Sequence, residues 1–241
     1  MLILAIDTAL DACAAGVLDT RAARVVAHEA LAMQRGHAEA LMPLIARVME
    51  AAGIDFKDLA RIAVTTGPGS FTGLRVALSA ARGIGLAAGK PVVGLTTLAA
   101  YTAPIVAEDG DNPVIAAIDA RHGQVYYQVV DGNGATLVSP RVAPIEEVLE
   151  AARFGSPCLV GNAAAILAER WPKDAPRPAR VDPQPAPDVA WVAWLGAAVR
   201  PETAPPRPTY MRAPDAKPSV MAPPAPPTPE PAAAQTPPAV P

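Results

Sequence analysis

A continuous apolar run, Leu2-Ile3-Leu4-Ala5-Ile6, stops at the polar pair Asp7-Thr8 and is followed by two more apolar runs, Cys13 to Leu18 and Arg24 to Ala30. Runs of this length bounded by turn residues predict three strands in an opening meander. From His37 to Ala52 the period changes to that of a helix: Leu41, Leu44, Ile45, Val48 and Ala52 form one stripe, and Met42, Ile45 and Met49 a neighbouring one. Pro43 falls near the first turn, where a missing amide costs little. A short strand at Ile62 to Thr66, a Gly67-Pro68-Gly69 turn, a helix from Phe71 to Ala88 stopped by Gly89, and a strand at Val92-Val93 come next.

From residue 113 the pattern restarts. Val114 to Ile118, Val125 to Val130 and Thr136 to Ser139 read as strands, with Asp131-Gly132-Asn133-Gly134 as a hairpin turn. A helix near Ile145 to Ala152, a strand at Cys158 to Val160 and helices at Ala163 to Arg170 and Val189 to Val199 complete the set. Three strands, then helix and strand in alternation, twice over, predict an α/β protein of two lobes with mixed sheets flanked by helices, the pattern of the actin-like superfamily. The expected divisions are an N-terminal lobe over 1–101, a C-terminal lobe over 102–212 and a Pro/Ala-rich tail over 213–241. The tail holds eleven prolines and no aromatic residue, too little apolar area to offset its ordering entropy, so it is expected to be disordered. The proline-dense stretch from Pro172 to Pro187 is expected to be a loop.

Composition narrows the function. Apolar residues make up 51% of the 241 positions but aromatic ones only 4%, so the core is built from Ala, Val, Leu and Ile. The formal charge is −3 with no dense basic cluster, which argues against tight nucleic-acid binding by this chain alone. Two distant cysteines, Cys13 and Cys158, suit a reducing compartment. The apolar N-terminus has no preceding Lys or Arg and is interrupted by Asp7 and Asp11, unlike an export signal, and the longest apolar stretch carries Arg75 and Arg82. A cytoplasmic protein without a membrane segment is expected.

The sharpest motif is Thr66-Gly67-Pro68-Gly69-Ser70-Phe71-Thr72-Gly73-Leu74-Arg75, between a strand and a helix. Gly67, Gly69 and Gly73 permit a tight reversal, Ser70 or Thr72 can cap the helix, and amides at a helix start can receive an anion. The loop lacks both the Gly-Lys-Ser/Thr of a Walker loop and the glycine spacing of a dinucleotide fingerprint. Asp7 and Thr8, at the end of the first strand, complete this candidate nucleotide or anion loop, although Ala9-Leu10-Asp11 replaces the glycines of a phosphate-binding hairpin. In the following helix Arg75, Ser79 and Arg82 form one polar stripe among small residues. With His37, Met42, Ile45 and Met49 they define a candidate partner interface, Met42 and Met49 being assigned to the flank facing a second helix layer. His28, His37 and His122 lack metal-ligand spacing, so no metal site and no catalytic constellation is expected.

Leu4-Ala5-Ile6-Asp7-Thr8, Gly36-His37-Ala38-Glu39-Ala40-Leu41-Met42-Pro43 and the Gly67–Arg75 motif together resemble the TsaB (YeaZ) family. Ile118-Asp119-Ala120-Arg121-His122-Gly123-Gln124-Val125-Tyr126 and Pro208-Thr209-Tyr210-Met211-Arg212 fit it too, with His122 and Gln124 where Arg and Glu are more usual. The resemblance implies an actin-like fold and a non-catalytic paralogue of TsaD, the transferase that makes N6-threonylcarbamoyladenosine at adenosine 37 of tRNAs reading ANN codons. It implies TsaD and TsaE as partners, a homodimer in the absence of TsaD, and tRNA contact only through the complex. ATP or ADP at a subunit interface is the one cofactor it leaves open. It also places Thr97 and Tyr101 where TsaD carries a metal-binding His-x-x-x-His pair. The competing reading is a stand-alone actin-like nucleotide-binding enzyme, kinase-like or glycoprotease-like, which needs an intact phosphate hairpin or a metal or nucleophile site.

Overall fold

The computed structural model describes residues 1–108 and 110–212; the tail expectation lies outside the described residues. The first sheet contains β1 (Leu2–Asp7), β2 (Ala12–Asp19), β3 (Arg24–Ala32), β4 (Arg61–Thr65) and β5 (Val92–Leu95) in the order β3-β2-β1-β4-β5. The second contains β6 (Val114–Asp119), β7 (Gln124–Val130), β8 (Thr136–Pro144), β9 (Cys158–Val160) and β10 (Arg180–Asp182) in the order β10-β9-β6-β7-β8. Reversed and renumbered from its first strand, the second order is the first one again. In each sheet three antiparallel strands are extended by two parallel ones. This duplicated mixed sheet is the actin-like fold that the strand pattern predicts.

On one face of the first sheet lie α1 (His37–Ala52) and α2 (Phe71–Ala88), both with the bounds that their periodicity predicts. Their ends follow from local chemistry. Gly53 and Gly89 take left-handed φ of 66° and 64°, where a side chain is strained, and return their amides to the last carbonyls. The Ser70 hydroxyl accepts the Gly73 amide at the start of α2. Leu41, Leu44, Ile45, Val48 and Met49 of α1 join Leu4, Ile6 and Val64 of the sheet in one buried cluster.

α3 (Thr97–Glu108) lies between the sheets. Leu98, Tyr101 and Ile105 share a cluster with Ala9 and Leu10 from the turn between β1 and β2 and with Val114, Ala116 and Ile118 of β6. In the second half α4 (Ile145–Leu149), a 3-10 turn (Glu150–Phe154) and α5 (Ala164–Glu169) cover the other sheet. α6 (Val189–Ala198) returns to the first sheet and packs Val189, Val192 and Ala193 against Ile3, Ala5 and Ala63. Arg61 donates to the Gly196 and Val199 carbonyls and so closes the end of α6.

Several elements differ from the sequence reading: β8 runs to Pro144 instead of ending at Ser139, and the helix expected over Ile145 to Ala152 is α4 followed by the 3-10 turn. The stretch expected to be a loop contains β10, a three-residue parallel strand beside β9. It fits among prolines because so short an edge strand buries little and leaves one side unpaired. α3 has no counterpart in the sequence reading: it carries Pro104 and is apolar almost all round, so it shows no amphipathic stripe.

Candidate functional site

The carboxyl ends of β1, β4 and β5 meet at Asp7, Thr65 and Leu95: Thr65 pairs with Leu95 in the parallel ladder and its hydroxyl donates to Asp7. Asp7 and Thr8 are fully buried. Asp7 Oδ1 accepts the Ala9 amide at 3.2 Å and the Thr65 hydroxyl, while Oδ2 has no protein partner. Burial pushes the Asp7 carboxyl up to about 6, against the opposing pull of its hydrogen bonds from Thr65 and Ala9 and of His37. Burial and the Asp7 charge likewise raise the Cys13 thiol to about 11, so it is an inert core thiol.

The Gly67–Gly73 loop packs directly on this strand end. The Ser70 amide donates to the Ala9 carbonyl at 2.7 Å, the Thr8 hydroxyl donates to the Gly73 carbonyl at 2.6 Å, and the Leu74 amide donates to the Ser70 carbonyl at 2.9 Å. A Cβ on Gly69 would stand 2.3 Å from the Ala9 carbonyl oxygen and one on Gly73 2.0 Å from that of Thr8. The glycines therefore serve close backbone approach, and three of the groups available to an anion are already bonded within the protein. Thr72 is exposed on the first turn of α2, and Gly67 is buried with φ 104°. Ala9 and Leu10, where a phosphate hairpin would need glycine, are buried in the cluster between the two sheets.

Thr97 and Tyr101 sit one turn apart on α3, both fully buried. Tyr101 donates its hydroxyl to the Gln184 carbonyl at 3.0 Å, and burial raises its phenol far above the ordinary range. Among the described residues no three His, Cys, Asp or Glu side chains gather as metal ligands would. No described helix is long and apolar enough to cross a membrane.

On the outer side of α1 and α2 the structure leaves an apolar groove. One half is lined by Ala38, Leu41, Met42, Phe71, Arg75 and Ser79, the other by Met42, Phe56, Ala80, Gly83 and Ala87. Three large apolar side chains stand exposed on these helices: Met42 at 48%, Phe71 at 39% and Leu86 at 87%. Of the residues assigned to a partner interface, Met42, Arg75 and Ser79 line this groove, and His37 holds the start of α1 to the Leu10 carbonyl at 3.1 Å. Ile45 and Met49 do not: both are buried against the first sheet, Met49 at 4% exposure, so the two methionines do not share one surface flank. They lie nearly in line along α1, but the chain turns at Gly53 and brings Ile54 and Phe56 into the cluster that covers Met49. Arg82 donates to the Pro206 carbonyl, and Arg75 lies 3.6 Å from the Phe71 ring centroid with Nε 3.4 Å from the Tyr210 hydroxyl. The involvement of residues 203–212 is what sequence reasoning missed; Tyr210 and Arg212 were legible only as a terminal motif.

Comparison with known proteins agrees with this architecture. The family model for TsaD, tRNA N6-adenosine threonylcarbamoyltransferase, matches residues 25–180. The tRNA threonylcarbamoyladenosine biosynthesis protein TsaB of Escherichia coli (strain K12) is 37% identical over 127 residues, 53% of this chain and about half the length of that relative, 54%. An uncharacterized protein of Mycobacterium tuberculosis (strain ATCC 25618 / H37Rv) is 35% identical over 216 residues, covering 90% of this chain and 94% of its own. The solved structure of YeaZ from Pseudomonas aeruginosa superposes with a TM-score of 0.72 at 29% identity, over 87% of this chain and 99% of that one. With the duplicated sheet, the Gly67–Gly73 turn and a near full-length relative in agreement, the chain belongs to the TsaB (YeaZ) family.

Proposed function

We propose that this chain is a non-catalytic subunit of the machinery that makes N6-threonylcarbamoyladenosine at adenosine 37 of tRNAs reading ANN codons, and that it docks on a TsaD-type transferase through the groove between α1 and α2. The observation that carries the docking reading is the groove itself. Two helices place exposed Met42, Phe71 and Leu86 beside small Ala80, Gly83 and Ala87, a surface that another helix pair can approach closely. A helix pair that suits a paralogue can also suit its own copy in a two-fold arrangement, so the same face serves a homodimer when TsaD is absent. TsaE joins the complex, and tRNA is met only through the assembly.

The non-catalytic reading is supported by Thr97 and Tyr101. Neither offers an imidazole, and the Tyr101 hydroxyl is committed to the Gln184 carbonyl. Nucleotide binding by this chain alone is disfavoured by Ala9 and Leu10, whose side chains fill the space between the sheets. ATP or ADP is then held at a subunit interface in the complex and not by this chain alone.

The test is reconstitution. The purified chain co-elutes with TsaD and TsaE and is required for tRNA modification by the mixture, and Met42→Glu, folded by circular dichroism, loses TsaD binding at least tenfold. A charge driven into a desolvated helix contact costs several kcal/mol, whereas on a solvated face it changes little. Full binding by folded Met42→Glu places the interface elsewhere; modification without this chain removes the functional reading.

A further inference from the structure

The segment after α6, residues 203–212, is tied down at both ends and along its length. The Gly94 amide donates to the Ala204 carbonyl at 2.9 Å, and the Thr209 amide donates to the Thr66 carbonyl at 2.7 Å. Arg82 of α2 holds the Pro206 carbonyl, and Tyr210 packs on Phe71 with ring centroids 5.1 Å apart, beside the Arg75 guanidinium. Beyond these anchors on the first sheet, Met211 joins the cluster between the sheets. Arg212 Nη1 donates to the Ala120 carbonyl at 3.1 Å in the turn after β6.

That turn is itself held in an unusual backbone conformation. Arg121, His122 and Gly123 all have left-handed φ, at 62°, 54° and 72°. For two residues with side chains this costs free energy that surrounding contacts must supply. One contact comes from Asp119, whose carboxylate accepts the Arg121 amide at 2.7 Å. Another reaches it from Arg212, across the lobe boundary. The two regions gripped by the segment, the start of α2 and the turn after β6, belong to different sheets, and the segment is a direct covalent path between them.

We propose that residues 203–212 act as a clamp that couples the first turn of α2 to the turn after β6, so that loosening either end loosens both. The polar stripe Arg75 and Arg82 then holds this clamp. Phe71 and Arg75 also line the groove assigned above to a partner, so the clamp sets the shape of its rim. The coupling is a property of the chain alone and does not rest on the docking reading.

Hydrogen exchange on the full chain tests it through reciprocity. Reporter amides at one end are Gly73 and Leu74, bonded to Ser70; at the other they are Ala120, bonded to Gln124, and Gln124, bonded to Arg121. Arg212→Ala, which removes the second-sheet anchor, speeds exchange of Gly73 and Leu74 about tenfold. Arg75→Ala, which removes a first-sheet anchor, does the same at Ala120 and Gln124. Amides of β1 and β4 serve as internal controls and keep their protection. If each substitution accelerates exchange only beside itself, or all amides including β1 and β4 accelerate equally, the clamp reading is wrong.

Discussion

At the scale of single residues, Asp7 is the group with the largest consequence. Its carboxyl is buried, half-satisfied and held near 6, well above the 3.8 of an unperturbed side chain. Between these two values the folded state binds more protons than the unfolded one, so this group makes stability fall as pH rises through the window; it adds no further change above about 6. The shift corresponds to about 3 kcal/mol. Urea unfolding from pH 4 to pH 7.5 is expected to show that decline in the wild type and a flatter profile in Asp7→Asn; identical profiles refute the assignment. Gly73 offers a steric test at the same strand end. A Cβ there meets the Thr8 carbonyl oxygen at 2.0 Å, against backbone that cannot rotate away. Gly73→Ala therefore costs about 3 kcal/mol, read as a lowered urea midpoint at unchanged slope. The sequence marked the turn and its glycines but not this purpose, because which backbone lies opposite a glycine is decided by a strand more than sixty residues earlier.

At the scale of elements, legibility followed the local signals. α1 and α2 matched their expected bounds because each has a glycine stop and a stripe of apolar residues on one side. α3 escaped because a helix packed between two sheets has no polar face to set a period. β10 escaped because a three-residue edge strand is defined by its neighbour β9 and not by its own residues. Periodicity put Met42 and Met49 on nearly the same line, yet one is exposed and the other buried, a difference made by the chain beyond Gly53. Met49→Glu is accordingly a core lesion, expected to cost several kcal/mol of stability by buried charge, while Met42→Glu leaves the melting temperature within a few degrees. Gly83 completes the contrast. It lies inside α2, is exposed in the groove, and a Cβ there meets nothing within 4 Å. Gly83→Ala is expected to stabilise the isolated chain by about 1 kcal/mol through helix propensity. A thermal melt without that gain shows that the glycine is kept for a reason within the monomer and not for close approach of a partner.

At the scale of the molecule, the question is whether two sheets make two folding units. Each sheet has its own cluster: Leu44 belongs to the one beneath α1, Leu167 to the one on the second sheet. A third cluster joins them, built from Leu10, Leu98, Tyr101 and Ile105 on one side and Val114, Ala116 and Ile118 on the other, every one of them buried. The chain enters the second sheet through α3, α6 returns it to the first, and residues 203–212 run back to the turn after β6, so it crosses between the sheets three times. An apolar joint of this kind resembles a core more than a hinge, and opening it exposes side chains that each contribute about 1.5–3 kcal/mol when buried. Unfolding is therefore expected as one calorimetric transition, with calorimetric and van't Hoff enthalpies in agreement. Leu44→Ala and Leu167→Ala, each costing about 2–5 kcal/mol in its own cluster, should then move that same single transition. Leu98→Ala, in the shared cluster, is the substitution that can split it, because it weakens the joint and leaves each sheet's own cluster intact. Two transitions in the wild type, one shifted only by Leu44→Ala and the other only by Leu167→Ala, would mean that the shared cluster is too weak to make the two sheets fold as one.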